Sequence, residues 1–365
     1  MEFSKKDMKI LQGIAILFML SLHLFARKDI NGLYDPFPVI NGVPFVYYLG
    51  LFGDACVPIY LFASGYGLFF SLGKNAVSTV KKNCIRILKL LINFWIILLM
   101  FMGIALIAGK PEAFSGGFSK FLLNFCLLSN SYNGAWWYLQ TYVILVFLAP
   151  LIIKLIKKYN SISMLVLSGI IYLVSYVERI KNVLDLGDNA ALNMVVNAIV
   201  LVGTSQLAFV VGIIFAKERI YSKLYNKFYN IRFKNVLCLL GILMLVVMHA
   251  FYESMIIAPF TAISFVCLFN LMKKAIFMQR LLTFLGYHST NLWLTHMFFY
   301  ISIFPELTFA PRYPILIFLW LIVLCLLSSF VINSIYFLIL KKTIDKRALV
   351  VGEKRDQSPD IKTSG

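Results

Sequence analysis

Charge is scarce in this chain. Only 14% of its 365 residues are Asp, Glu, Lys or Arg, and the acidic ones number 16. A soluble domain carries about 25% charged residues, so an ordinary water-soluble fold is excluded. With 61% of residues hydrophobic, disorder is excluded too. Cysteine is sparse and scattered: Cys56, Cys84, Cys126, Cys238, Cys267 and Cys325 include no Cys-x-x-Cys pair. They read as small packing residues, and neither a disulfide framework nor a zinc site or other metal centre is expected. There is no glycine-rich phosphate loop, no internal repeat and no polar stretch long enough for a second domain.

What is present is a series of apolar runs. A hydrocarbon core of about 30 Å needs roughly 20 apolar residues in a helix, and backbone groups in lipid must bond within their own segment. The runs predict ten spans: Met8–Ala26, Tyr47–Leu72, Ile85–Ala108, Trp136–Ile156, Ser161–Val177, Asn193–Ala216, Val236–Tyr252, Met255–Phe277, Leu281–Phe304 and Tyr313–Leu340. Phe118–Leu128 is too short to cross and reads as an interfacial or re-entrant piece. The expected fold is all-α, a polytopic membrane bundle occupying residues 1–342, followed by a polar tail, 343–365, expected to be disordered.

The 34 Lys and Arg give a net charge of +18, which in a soluble protein would raise the question of nucleic acid. Their distribution answers it. With the N-terminus inside and sides alternating through ten crossings, 27 fall in inner segments and 7 in outer ones. One missed helix would invert every later loop, so the positive-inside bias places both termini in the cytoplasm. Nucleic acid is not an expected partner; membrane lipid is.

Ionisable groups within spans are expensive and mark function or wet cavities. His23, Asp54 and His296 lie inside the spans away from the basic rims, with His288 and His249 nearer helix ends. At 1.5 Å per residue His23 and His296 sit about 22 Å above the inner boundary and Asp54 about 27 Å. All three therefore belong to the outer half. Taken singly each has a plain reading: a packed histidine, a carboxylate at a helix start, and tryptophans of an interfacial belt at Trp136 and Trp137.

Four local sequences together resemble the integral-membrane acyltransferase family 3, the bacterial multispan O-acyltransferases. They are Leu11-Gln12-Gly13-Ile14 followed by Leu22-His23-Leu24-Phe25; Ile59-Tyr60-Leu61-Phe62-Ala63-Ser64-Gly65-Tyr66-Gly67; Asn133-Gly134-Ala135-Trp136-Trp137-Tyr138-Leu139; and Leu285-Gly286-Tyr287-His288-Ser289-Thr290-Asn291-Leu292-Trp293-Leu294-Thr295-His296. The likeness spans about residues 5–340. Gln12 departs from the pattern, standing where the family usually has Arg or Lys with ten residues between it and the histidine; Lys9 or Arg86 would then supply the cation. The resemblance implies transfer of an acyl group, usually acetyl, from cytoplasmic acetyl-CoA to a hydroxyl of a surface glycan such as a capsular polysaccharide or exopolysaccharide, or of a lipid-linked precursor. It also implies a place in the bacterial inner membrane.

The residues suit that chemistry. Histidine is mostly neutral at pH 7 and can take the proton of an attacking hydroxyl, so His23 is the expected base. Asp54 is the expected partner on the other ring nitrogen. Ser64 and Tyr66 are placed to contact the acyl or acceptor group, with an acyl-Ser64 intermediate as the alternative to direct transfer. Lys82, Arg86 and Lys89 would hold the phosphates of coenzyme A. Trp136, Trp137 and Tyr138 would take a sugar ring on their aromatic faces, and His296 would line the same cavity. The competing reading is a transporter or flippase for a lipid-linked sugar or small solute, with the same polar groups lining a pathway.

Overall fold

The computed structural model describes residues 2–71, 76–184, 187 and 189–356. Apart from a two-residue ribbon pairing Val39 with Pro44 and Ile40 with Val43, the regular structure among them is helical. Ten helices carry the bundle: α1 (Lys5–Phe25), α2 (Cys56–Ser71), α3 (Ala76–Ile107), α4 (Trp137–Lys158), α5 (Ser161–Lys181), α6 (Ala190–Glu218), α7 (Lys234–Phe251), α8 (Ala258–Leu271), α9 (Ile276–Met297) and α10 (Pro314–Asp356). The part of the polar tail beyond Asp356 lies outside the described residues.

Eight of the ten predicted spans coincide with helices long and apolar enough to cross a membrane. The other two are helices of a different kind. The eighth is shorter than predicted, Met255–Leu271 with its opening turn, because the chain turns extended at Met272. The ninth, α9, is interrupted by polar residues, and the bundle satisfies them. Buried Asn93 of α3 donates to Asn291 Oδ1 (2.7 Å). Asn291 donates onward to Ser329 Oγ (2.9 Å) and Asn333 Oδ1 (2.9 Å) of α10. A buried polar chain with every member paired rigidifies rather than destabilises. The Phe118–Leu128 stretch forms a nine-residue helix, Gly117–Phe125, whose Phe125 carbonyl accepts from Trp95 Nε1 of α3 (3.0 Å).

The N-terminal turn of α1 is fixed by reciprocal capping. Ser4 Oγ accepts from Asp7 N (3.1 Å) and Asp7 Oδ2 accepts from Ser4 N (2.9 Å), an arrangement worth about 0.5–2 kcal/mol. At this end Lys6 Nζ reaches Gln279 of α9 (2.9 Å). α10 runs antiparallel to α9, with Thr295 against Cys325 and Asn291 against Ser329, so it leaves the pair at this same end, the one rich in Lys and Arg. The opposite end is tied by the Lys28–Glu253 ion pair (2.6 Å). The lysine ammonium holds the Glu253 carboxyl below its ordinary range, and Tyr47 donates to the same carboxylate (2.9 Å).

Two helix crossings decide where the site can be. A Cβ on Gly13 of α1 would lie 1.9 Å from the Leu282 carbonyl oxygen of α9, and one on Gly286 would lie 2.0 Å from the Lys9 carbonyl oxygen. The same reciprocal notch joins α2 to α6 at Gly65 against Phe209 and Gly212 against Phe62. Without a solvophobic drive between helices in lipid, close backbone approach of this kind holds the bundle. Gly67 plays no such part: its missing Cβ faces open space. Helices α5 and α7 turn Ile162, Val166, Val174, Leu240, Met244 and Phe251 outward, an apolar rim suited to lipid.

Candidate active site

The notch between α1 and α9 brings their outer halves together. The rings of His23 and His296 meet edge to face, with centroids 4.8 Å apart. Beyond His296 the helix loosens into one π-helical turn, Phe298–Ser302, a distortion that recurs at functional sites. It sets Tyr300 parallel to His296, centroids 5.9 Å apart, with its hydroxyl 3.3 Å from His23 Nδ1 in a hydrogen bond. Arg27 lies over the Tyr300 ring and donates to the His23 carbonyl (3.3 Å), closing the C-terminal end of α1. His23 Nε2 has no partner among the described residues.

His23 lines a cavity of about 150 Å³ with Asp54, Trp137, Tyr138, Arg179 and Trp293. Asp54 sits in the single turn Phe52–Ala55 that precedes α2. It makes no hydrogen bond to His23; the charge acting on it is Arg179 of α5. The ring contact expected of Asp54 is made by Tyr300 instead; Asp54 shares the cavity wall with Arg179 of α5.

A second cavity of about 210 Å³ lies toward the basic end, lined by Gln12, Ser64, Arg86, Tyr142 and Ser289 among others. The two share five wall residues: Met19, Cys56, Val57, Tyr138 and Trp293. Tyr138 thus stands at the junction, and its hydroxyl has no hydrogen-bond partner among the described residues.

Other expected residues fall elsewhere. Arg86 reaches the inner cavity, donating to Asn83 Oδ1 (3.1 Å) and Ser71 Oγ (3.3 Å), whereas Lys82 and Lys89, about one turn to either side of it, are exposed and line neither cavity. Lys9 is drawn to α9, donating to the Gly286 carbonyl (3.3 Å), so Arg86 is the cation that shares a cavity with Gln12. Tyr66 lines neither cavity; its hydroxyl donates to the Glu2 carboxylate and accepts from Phe3 N (3.2 Å), clamping the N-terminal residues. Trp136 is buried, donating from Nε1 to the Leu294 carbonyl (3.1 Å) and packing edge-on to Phe94. It sets the turn before α4, and Trp137 and Tyr138 alone of that trio face the cavity. His296 lies behind His23 rather than in the cavity wall, held by Nδ1 to the Trp293 carbonyl (2.7 Å), with Nε2 buried and unpartnered.

The other two histidines are satisfied packing groups. His249 Nε2 bonds with Thr261 Oγ1 (2.7 Å) and His288 Nδ1 with Ser329 Oγ (2.8 Å). Among the described residues no three His, Cys, Asp or Glu side chains converge as a metal site would require.

Residues 5–334 match the family model described as an acyltransferase domain. The chain belongs to the integral-membrane acyltransferase family 3. It is a multi-pass membrane protein of that family, and neither a curated protein nor a solved structure matches it. Three residues of this acyltransferase escaped sequence reading. Tyr300 sits one helical turn beyond His296, a spacing of four that places the two on one face. Arg179 looks from its sequence like an ordinary outer cation. Trp293, which donates from Nε1 to the Ala135 carbonyl (3.0 Å), occurs within the late motif but without a distinguishing charge.

Proposed function

We propose that this acyltransferase moves an acetyl group from acetyl-CoA, entering from the cytoplasmic side of a bacterial inner membrane, to a hydroxyl of a cell-surface polysaccharide or its lipid-linked precursor. The observation that carries the reading is the pair of cavities abutting at Tyr138 and Trp293. One contains a cation facing the basic end, and the other contains a histidine with a free nitrogen in the outer half. A thioester on a long arm can be presented from below to a hydroxyl admitted from above, with water held out by aromatic walls.

In that geometry His23 donates Nδ1–H to Tyr300, which leaves the Nε2 lone pair for the acceptor. The sugar oxygen attacks the thioester carbonyl carbon as its proton passes to His23 Nε2. The carbonyl oxygen becomes an oxyanion, for which the Tyr138 hydroxyl is the available donor. Collapse breaks the carbon–sulfur bond, the imidazolium returns its proton to the thiolate, and the products are an O-acetyl ester and coenzyme A. Tyr300 does for the imidazole what a carboxylate does in a triad, with a neutral group suited to a membrane interior. Arg86 holds donor phosphate; Ser64, beside it in the inner cavity, lines the path of the arm. Transfer is direct, since no histidine contacts Ser64 among the described residues. Asp54 and Arg179 belong to the acceptor side.

The test is covalent. In membranes loaded with acetyl-labelled acetyl-CoA, the protein should place base-labile acetyl on polysaccharide, and His23→Ala should abolish this with protein level unchanged. Retained labelling in His23→Ala would eliminate the base, and a polysaccharide moved but never esterified would point to transport.

A further inference from the structure

His296 holds a nitrogen that packing does not account for. The residue is 0% exposed, and its Nδ1 lies 2.7 Å from the Trp293 carbonyl oxygen. A carbonyl only accepts, so Nδ1 carries the hydrogen and Nε2 is left as a bare acceptor. That acceptor has no partner, and among the described residues the Tyr34 hydroxyl is the only other fully buried side-chain polar atom of which this is true. Elsewhere in the bundle the buried side chains of Asn93, Asn291, His249 and His288 are all bonded. An unpaired polar atom in a dry setting costs stability, so the bundle is keeping this one for a reason other than folding.

The Tyr300 hydroxyl is its complement. Tyr300 is buried too, and among the described residues its hydroxyl bonds only to His23 Nδ1, 3.3 Å away. That bond has two polarities, and they are the two tautomers of His23, because a neutral imidazole has one N–H and one lone pair. If Tyr300 donates, His23 carries its hydrogen on Nε2, no donor remains for His296, and the orphan persists. If His23 donates, the Tyr300 oxygen accepts and its own hydrogen needs a taker. The Tyr300 and His296 rings are parallel, centroids 5.9 Å apart, and both stand nearly perpendicular to His23. One water spans such a gap between a hydroxyl and a ring nitrogen.

We infer that His296 is a positioning residue for His23: its Nε2 takes the Tyr300 hydrogen through one bridging water and so holds His23 in the tautomer whose Nε2 is free. The inference rests on His23 as the base proposed above and says what selects its reactive form. Every donor then points the same way, from His23 Nδ1–H to Tyr300, to the water, to His296 Nε2, with His296 Nδ1–H closing the row on the Trp293 carbonyl. Bonds aligned in this manner polarise one another. No proton leaves the row during transfer, so the role is tautomer selection and not relay.

The test is nitrogen-15 NMR of the full-length protein in detergent micelles, labelled at its four histidines, beside acetyl transfer assays. Loss of signals in His23→Ala and His296→Phe assigns the two rings. In the parent, His23 should show Nδ1 protonated and Nε2 bare, and His296 Nε2 should show the shift of a hydrogen-bonded lone pair. His296→Phe keeps a flat ring but no acceptor; His23 should move to a mixture of tautomers, and kcat should fall about tenfold with both KM values within twofold. Tyr300→Phe should move the His296 Nε2 resonance to that of an unbonded lone pair, a reading that needs no change at His296 itself. A parent His23 protonated on Nε2, a tautomer unchanged in His296→Phe, or a His296 resonance indifferent to Tyr300→Phe overturns the inference. The predicted shifts in a parent protein that transfers nothing leave the positioning standing and remove the reaction instead.

Discussion

Tyr300→Phe isolates one hydrogen bond. The substitution deletes a single oxygen and keeps the ring that stacks on His296 and carries Arg27, so packing is preserved. What disappears is the 3.3 Å contact to His23 Nδ1. In the resting enzyme that bond fixes which nitrogen is free; during transfer it faces a charged imidazolium, and hydrogen bonds to charged groups are worth about 1.5–3 kcal/mol. At 1.36 kcal/mol per decade, kcat should fall about ten- to 150-fold. Coenzyme A binding by calorimetry and the acceptor KM should stay within twofold, because Tyr300 lines neither cavity. The pH–rate profile should also move, since the base loses the group that stabilises its charged form; a role confined to packing would leave the profile in place. A Tyr300→Phe enzyme with parental kcat and profile would refute the positioning role. Asp54→Asn, by contrast, should affect the acceptor KM more than the profile, since its electrostatic partner is Arg179.

Two further outcomes test other parts of the structure. Gly13→Ala pushes a methyl to within 1.9 Å of the Leu282 carbonyl oxygen, so α1 and α9 must separate; thermal unfolding in detergent should show a loss of about 1–3 kcal/mol or more, while Gly67→Ala, facing open space, should match the parent. Arg86→Gln should raise the KM for acetyl-CoA about tenfold or more through loss of a charge-assisted contact, and Lys82→Gln with Lys89→Gln should not, as read from coenzyme A release.

Hydropathy placed the spans well because burial in lipid is imposed residue by residue, and His23 stood out because an imidazole so deep demands a reason. Partners were harder to read, since they depend on how helices cross. Trp136 and Trp137 are neighbours in sequence but about 100° apart around a helix, so one packs on Phe94 and the other faces the cavity. Tyr66 shares its motif with Ser64, yet two residues of helix rotation send it toward Glu2. Asp54 was expected beside His23 from similar depth alone, and depth says nothing of azimuth. α9 looked like an ordinary span until Asn93, Ser329 and Asn333 showed how its polar face is satisfied. Gly13 and Gly65 say nothing of a crossing by themselves; the facing Gly286 and Gly212 make each a notch.

In these notches carbonyl oxygens press into the space of absent methyls, with no side chain between that could change rotamer. The spacing of the two imidazoles is thus set by main chain against main chain. A thicker or thinner bilayer, which a span accommodates by tilting, would lean α1 and α9 together as one rigid strut. The reacting groups should therefore hold their mutual distance across membranes of different lipid length, while the reach from the cytoplasmic surface to His23 varies.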